Sequence, residues 1–499
     1  MERNILYRII AVFALTFSIA SCNDLEEHPI GVLAPESYFQ TETEVEAAVL
    51  GVYSRFAREP LFGRALPLTM ILLGDACDIG DLGTAAARIQ MNSFNSDANN
   101  GLTNAIWPEL YKSIGIANAA LVGAESIPNK DGAKAKQLKA EAMVLKALCY
   151  YYLVQLFGDI PYIANFVTEP TSVANISKTP AAEVYQNMIA DCEFAAENLP
   201  DKYPNNIRCR PTKGSAKTLL ASIYLTLGQY DKAAQYAEDV INNAPTYGYS
   251  FVSDFTELWK GDNGDQTEHI WTVDFQGGYS KSYNFWGPMT GVSGAKMNGW
   301  SVVVPSSGLY NLYETGDHRM ATTFVTETLV KGVMTPYTNW PIPRIHFGKF
   351  CLYPGAKASS DGSYTSANWP IFRFAEVYLI AAEALAEVNN GPTAKAYEYI
   401  NKVRERARFG GTVPANLQTG MSKTDFINAV LKERLMEFPL ECKRWYDIKR
   451  RQLGDQVFKG ANSIEPHSNF TSSKDYLLAL PQDELDRNPN LMPQNPGYN

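Results

Sequence analysis

Histidine and cysteine are too sparse and too scattered in this chain to build a metal centre. His28, His269, His318, His346 and His467 stand far apart in 499 residues, and none has the spacing of paired metal ligands. Seven cysteines include no C-x-x-C pair, which excludes a zinc ribbon and a thioredoxin-like motif. Beyond the first residues no run of eighteen consecutive apolar residues occurs, so no membrane-crossing helix is expected. Positive charge is also short: 44 Lys and Arg against 53 Asp and Glu give −9, the wrong sign for a nucleic-acid partner. H-E-x-x-H, G-x-x-x-x-G-K-[ST] and G-x-S-x-G are all missing; G-V-S-G-A at 291–295 ends in alanine where the second glycine would stand. Acidic pairs are plentiful, but none sits in a recognisable glycosidase arrangement.

What is present begins at the N-terminus. Arg3 and Arg8 flank the start of a mostly apolar run, 9–19, too short to span a bilayer. Ala20 and Ser21 then lead into Cys22. The order resembles a bacterial lipoprotein signal, with I-A-S-C as its box. That resemblance implies a signal peptide over residues 1–21, cleavage before Cys22 and a diacylglyceryl group on its thiol. One acyl chain anchors a protein only marginally, whereas two or more hold it stably. An ordinary secretory signal with an incidental cysteine is the competing reading. Asp24, Glu26 and Glu27 follow at once, and this acidic cluster resembles the surface-export signal of Bacteroidetes lipoproteins.

Helical periodicity dominates the remainder. Length alone allows about three domains, yet the pattern reads as one mainly α domain over 22–499. Residues 43–58 open with a cap at Thr41 or Thr43 and carry Val45, Ala48, Val49, Val52 and Phe56 on one face. Further helices are predicted over 102–125, 137–157, 181–198 and 213–227; the one at 137–157 stops at Gly158-Asp159, with Pro161 just beyond. Residues 217–245 resemble a tetratricopeptide repeat. Ala221 and Ala233 permit close helix approach, Tyr224 fills the space between, Gly228 turns the chain and Pro245 closes the unit. Residues 376–406 repeat the scheme with Ala382, Leu385, Gly391, Ala396 and Val403, and 137–157 with 181–198 make a third pair split by an insertion. Such pairs bury their faces only by stacking. The expected result is a tetratricopeptide-repeat helical scaffold over about 40–250 and 370–450. Cys149 and Cys192 fall on apolar helix faces as buried free thiols, and no disulfide framework is expected.

Between the repeats the composition changes. Residues 271–340 are rich in glycine, serine and aromatics, with short alternating runs such as H-I-W-T-V-D-F at 269–275. They read as loops and small strands laid on the helical layer. Residues 74–100 form a second irregular segment. Long irregular segments in a compact protein commonly carry function. Aromatic rings offer rigid contact area, and short polar side chains complement a rim of hydroxyls, a combination suited to sugars. Four of the eight tryptophans fall within 271–340. Trp271 sits in a strand pattern and is assigned to the core. Trp286, Trp300, Trp340, Tyr283 and Tyr337 are the candidate ligand platforms, with buried packing as the competing role. Asp75, Asp81, Arg88 and Asn92 are the candidate polar contacts, with solvated loop positions as the alternative. G-D-N-G-D at 261–265 offers oxygens to a structural calcium ion, but it lacks the full EF-hand spacing and closing glutamate, so a solvated turn competes. No other cofactor is expected.

L-K-E-R-L-M-E-F-P-L-E-C-K-R-W-Y-D-I-K-R-R at 431–451 is similar to the E-R-x-x-E-F-x-x-E-x-x-R-W-x-D-L-K-R signature of the SusD/RagB family. The match runs through Glu433, Arg434, Glu437, Phe438, Glu441, Arg444, Trp445, Asp447, Lys449 and Arg450. Pro439 and Cys442 stand where that family more often has alanine and glycine. The tail at 476–498, ending N-P-G-Y, agrees as well. So do L-C-Y-Y-Y-L-V-Q-L-F-G-D-I-P-Y-I, the segment at 210–234, and F-R-F-A-E-V-Y-L-I-A-A-E-A-L-A-E-V-N followed by I-N-K-V-R-E-R-A. The resemblance spans essentially the whole chain after Cys22. It implies four tetratricopeptide units under a loop-rich part whose ligand loops correspond to 74–100 and 271–340. It further implies a lipid-anchored outer-membrane protein facing the extracellular side. Such a protein captures oligosaccharide, or peptide in some branches, without catalysis. It then passes the cargo to a SusC-type TonB-dependent transporter. The family has no fixed ligand motif, so no residue role is carried over. Glu433, Glu437 and Glu441, four apart, are expected to face Arg434, Arg444 and Lys449 in an ion-pair ladder, with Phe438 and Trp445 anchoring the helices in the core. Peptide cargo, a surface hydrolase and a pure assembly scaffold remain as alternatives.

Overall fold

The computed structural model describes residues 38–261, 264–276, 284–295, 299–352 and 366–498. Its first long helix, α1 (Glu42–Phe56), shows how local chemistry sets the elements. Thr41 Oγ1 accepts from Glu44 N, while the Glu44 carboxylate accepts from Thr41 N at 2.8 Å, a reciprocal cap. Val45, Val49, Val52 and Phe56 then form one buried stripe. A wide turn, Glu59–Gly63, leads into α2 (Ala65–Leu72), and an irregular stretch precedes α3 (Ala86–Asn92).

The scaffold continues with α4 (Gly101–Ser126), α5 (Ala133–Phe157), α6 (Ala181–Asn198), α7 (Lys213–Thr226), α8 (Tyr230–Asn242), α9 (Phe374–Val388) and α10 (Ala394–Arg408). Each packs on the next, and α1 lies against α4. The three pairs expected from sequence are all present in this succession. Ala221 and Ala233 are fully buried, and Tyr224 stacks on Tyr236 with centroids 5.6 Å apart and planes 7° apart. Residues Phe39–Asn499 make one compact unit.

Among the described residues, eight short strands lie outside this layer: β1 (Cys77–Ile79), β2 (His269–Val273), β3 (Val303–Pro305), β4 (Phe324–Val325), β5 (Glu327–Val330), β6 (Val333–Pro336), β7 (His346–Phe347) and β8 (Trp369–Arg373). They pair antiparallel as β1–β3, β2–β8, β4–β7 and β5–β6. The β1–β3 pair ties the 74–100 segment to the 271–340 segment. The alternation read at 269–275 does not produce one wet face. Every residue of β2 is buried, because β2 pairs with β8 and rests on α7. Trp271 is in the core as expected.

The signature segment forms α11 (Lys423–Glu437) and α12 (Arg444–Arg450). Phe438 and Trp445 are buried. The ladder expected among its own residues is not what forms. Glu433 pairs with Arg319 at 2.6 Å and Arg404 at 2.7 Å. Glu437 pairs with Arg319, Arg373 and Arg406, and Glu441 with Arg373 and Lys349. Arg434 turns instead to Asp447 at 2.7 Å, Arg444 to Asp75, and Lys449 to the Gln155 carbonyl. A ladder along one face needs that face in solvent. Here the helix is enclosed, so its carboxylates neutralise cations from the loop-rich part and from α10. Burial opposes ionisation of Glu437, yet Arg406, Arg373 and Arg319 hold its carboxyl well below the usual range.

Candidate functional site

The turn Glu59–Gly63 starts the site. Gly63 O accepts from Phe285 N at 3.0 Å, and Phe62 O accepts from the Trp286 indole at 3.2 Å. Two neighbouring rings are therefore fixed by one turn, and then they part. Trp286 goes inward, 0% exposed, against Trp369 with centroids 4.9 Å apart. Phe285 stays partly buried; the Arg64 guanidinium lies 5.1 Å over its ring, and Trp300 packs on it at 5.9 Å with planes 31° apart. Arg64 also pairs with Glu59.

Trp300 is positioned through its backbone. Its N–H donates to Pro288 O at 2.7 Å. Ser301 follows with a left-handed φ of 52°, donates to Gly291 O at 2.9 Å, and its Oγ accepts from Ser293 N at 2.8 Å. Two glycines allow this fold-back. A Cβ at Gly299 would stand 2.2 Å from the Gly291 backbone, and one at Gly80 would stand 2.4 Å from Ser301 O. The close approach at Gly80 lets Asp81 N donate to Ser301 O at 2.9 Å. Asp81 Oδ1 accepts from Gly83 N within its own turn. Arg88 donates to Thr84 Oγ1 at 2.7 Å and makes no ion pair among the described residues. Burial, and then the like charge of Arg64, pushes its guanidinium pKa down.

Trp300, Asp81 and Arg88 thus fall in one region. Phe285, Arg64 and Glu59 join them and were missed from sequence. Phe285 stood beside the more conspicuous Trp286, and Arg64 gave no signal beyond the break at Pro60. Chemically, two partly buried rings tilted 31° to each other offer an apolar surface, and the guanidiniums supply donors in fixed forks.

Other expected contacts require correction. Trp286 is a core residue. Trp340 lies inside a small separate cluster with Val292, Ala295, Val325 and Cys351, its indole donating to Thr335 O at 3.0 Å. Tyr337 packs, partly buried, against that same cluster. Asp75 is 2% exposed and takes both Arg444 nitrogens at 2.6 and 2.8 Å. Asn92 is buried and donates to Asp78 Oδ1 at 2.9 Å. Loop context alone does not show which way a ring or carboxylate turns. Tyr283 and Cys22 lie outside the described residues. At the calcium motif, residues 262–263 are likewise outside; Asp265 accepts from Thr272, Asn368 and the Arg208 N–H. No group of three metal-ligating side chains occurs among the described residues.

A family model described as the SusD family matches residues 330–498, and one described as starch-binding associating with outer membrane matches 82–225. SusD-like protein P2 of Formosa agariphila is 42% identical across 98% of this chain and 99% of its own. The chain belongs to the SusD/RagB family. The starch-binding protein SusD of Bacteroides thetaiotaomicron is 24% identical over 72% of each chain. Among solved structures, a laminarin-binding SusD-like protein is 25% identical, with a TM-score of 0.76 over 92% of this chain and all of its own. A SusD homologue from Bacteroides thetaiotaomicron shares the fold at a TM-score of 0.80 and 21% identity, covering 93% of this chain and 98% of its own. The helical layer with its short strand pairs is thus the SusD-like fold.

Proposed function

We propose that this SusD/RagB chain is a non-enzymatic surface binder of oligosaccharide nutrients that hands them to a SusC-like TonB-dependent transporter. The observation that carries the proposal is the Trp300–Phe285 pair, with Arg64 and Arg88 beside it, braced on a rigid helical layer. Sugar C–H faces stack on such rings, and guanidiniums donate to sugar oxygens. The relatives described as binding starch and laminarin support glycan as the cargo. Cys22 is the proposed lipid attachment, tethering the body to the outer face of the outer membrane.

Native affinity electrophoresis through gels containing laminarin, starch and other polysaccharides tests this. Retardation by at least one glycan, weakened about tenfold by Trp300→Ala, is the expected result. Binding to peptides with no retardation by any glycan overturns the glycan cargo. Release of products from a retained glycan overturns the non-enzymatic role. Co-purification of the anchored protein with its transporter tests delivery.

A further inference from the structure

A cavity of about 560 Å³ opens between α4, the insertion around 161–176 and the C-terminal segment around 484–491. None of its lining residues belongs to the site above. Its walls are braced. Asn118 donates to Ile163 O and Asn165 O, Tyr111 to Pro161 O, Asn488 to Ile176 O and Asn490 to Asn175 O. Ile163, Val173, Ile176 and Leu491 surround Trp107 as the apolar part of the lining, and Tyr111, Lys112, Glu484, Arg487 and Asn488 supply its polar part.

Trp107 brings a ring and a polar edge to the lining. It is only 3% exposed, set edge-on to Phe157 at 4.9 Å. Its indole N–H has no protein acceptor among the described residues, and that nitrogen is not one of the buried unpaired atoms, so it meets open space. Trp271, Trp286 and Trp340 each donate to a backbone carbonyl, whereas the Trp259 indole nitrogen is buried without a partner. At the rim stands Lys112, whose side chain is 56% exposed. Its partner Glu109 is shared: Arg55 holds it at 2.7 Å, Lys112 at 2.9 Å and Arg58 at 3.5 Å. One carboxylate against three cations leaves this end positive. At the other end Arg487 is offset by Glu484 at 3.1 Å.

We infer that this cavity binds a small amphiphilic anion. An apolar ring or short alkyl body lies among the aliphatic side chains, an oxygen accepts from the Trp107 indole, and the negative head lies toward Lys112.

The test uses the whole chain carrying Cys22→Ser, so that no acyl chain competes. Two fluorescent probes are titrated: the anionic 8-anilinonaphthalene-1-sulfonate and the neutral N-phenyl-1-naphthylamine. One saturable site is expected, with the anion bound about fivefold tighter than the neutral probe, as one charge-assisted contact implies. Ala174→Trp, at an exposed position on the lining, fills the cavity and weakens the anion tenfold or more, on the order of one lost apolar contact surface. Trp107→Phe keeps the ring and removes the donor, weakening it about fivefold. Lys112→Gln removes the preference between probes. Equal affinity for both probes, or binding unchanged in Ala174→Trp and Trp107→Phe variants with native circular dichroism, overturns the inference.

Discussion

Trp286 and Trp300 lie in one loop and have different fates, because Phe62 O captures one indole in the core while the fold-back at Ser301 leaves the other partly exposed. Trp300→Ala should therefore weaken glycan binding about tenfold, the loss of one stacking contact, and leave stability nearly unchanged. Trp286→Ala should cost about 3–5 kcal/mol of stability through cavity formation, seen as a lower urea midpoint. Cys442 teaches a different lesson. It holds a φ of 63°, where a side chain is strained, which explains the glycine common in the family pattern. Cys442→Gly should shift the urea-derived stability by less than about 1 kcal/mol, since relieved strain offsets lost sulfur contact.

At the scale of elements, α11 and α12 work as a clamp. Glu437 and Glu441 face Arg373 and Lys349 in the interior, while Glu383 of α9 receives Arg450 and Arg451. Breaking such a pair strands a buried charge, so Arg373→Met should cost about 3–5 kcal/mol. The pH dependence follows from the same groups. Burial opposes the Glu383 charge, but Arg450 and Arg451 pull its pKa down to about 2. A depressed carboxyl contributes stability above its unfolded pKa and loses it as pH falls through the folded value. The urea-derived unfolding free energy should therefore fall between about pH 5 and pH 2, by on the order of 3 kcal/mol from Glu383 alone. Asp274 runs the other way, since burial and Asp265 raise it to about 6 and penalise folding as pH rises through that value. In Glu383→Gln the decline below pH 5 should become shallower.

At the scale of the molecule, the loop-rich part cannot stand apart from the scaffold. Arg319, Arg373 and Lys349 are buried in that part; Asp317 and Glu268 neutralise the two arginines in part, and their remaining counter-charges, with that of Lys349, come from α11 and the turn after it. A chain ending at residue 430 should lose its near-ultraviolet circular dichroism and all glycan retardation together, even though Trp300, Phe285, Arg64 and Arg88 are retained. Unaltered near-ultraviolet signal in that truncation would show the two parts to be independent.

Much of the scaffold was legible in the amino-acid order. Caps, 3.6-residue stripes and small residues at close approaches are local properties, so Thr41, Gly158, Ala221 and Ala233 announced their roles. The signature at 431–451 announced the family. What α11 pairs with was not legible, because its partners Arg319, Lys349 and Arg373 come from distant segments. Nor was the site. Trp300, Asp81 and Arg88 were among the candidates, but Trp286, Trp340, Asp75 and Asn92 looked the same on paper. Their direction depends on partners that no pattern marks: Phe62 O and Arg444 from distant segments, and Thr335 O and Asp78 from within the same loops. Local periodicity determines which segments are helices. Only tertiary contact decides which face of a loop is left for a ligand.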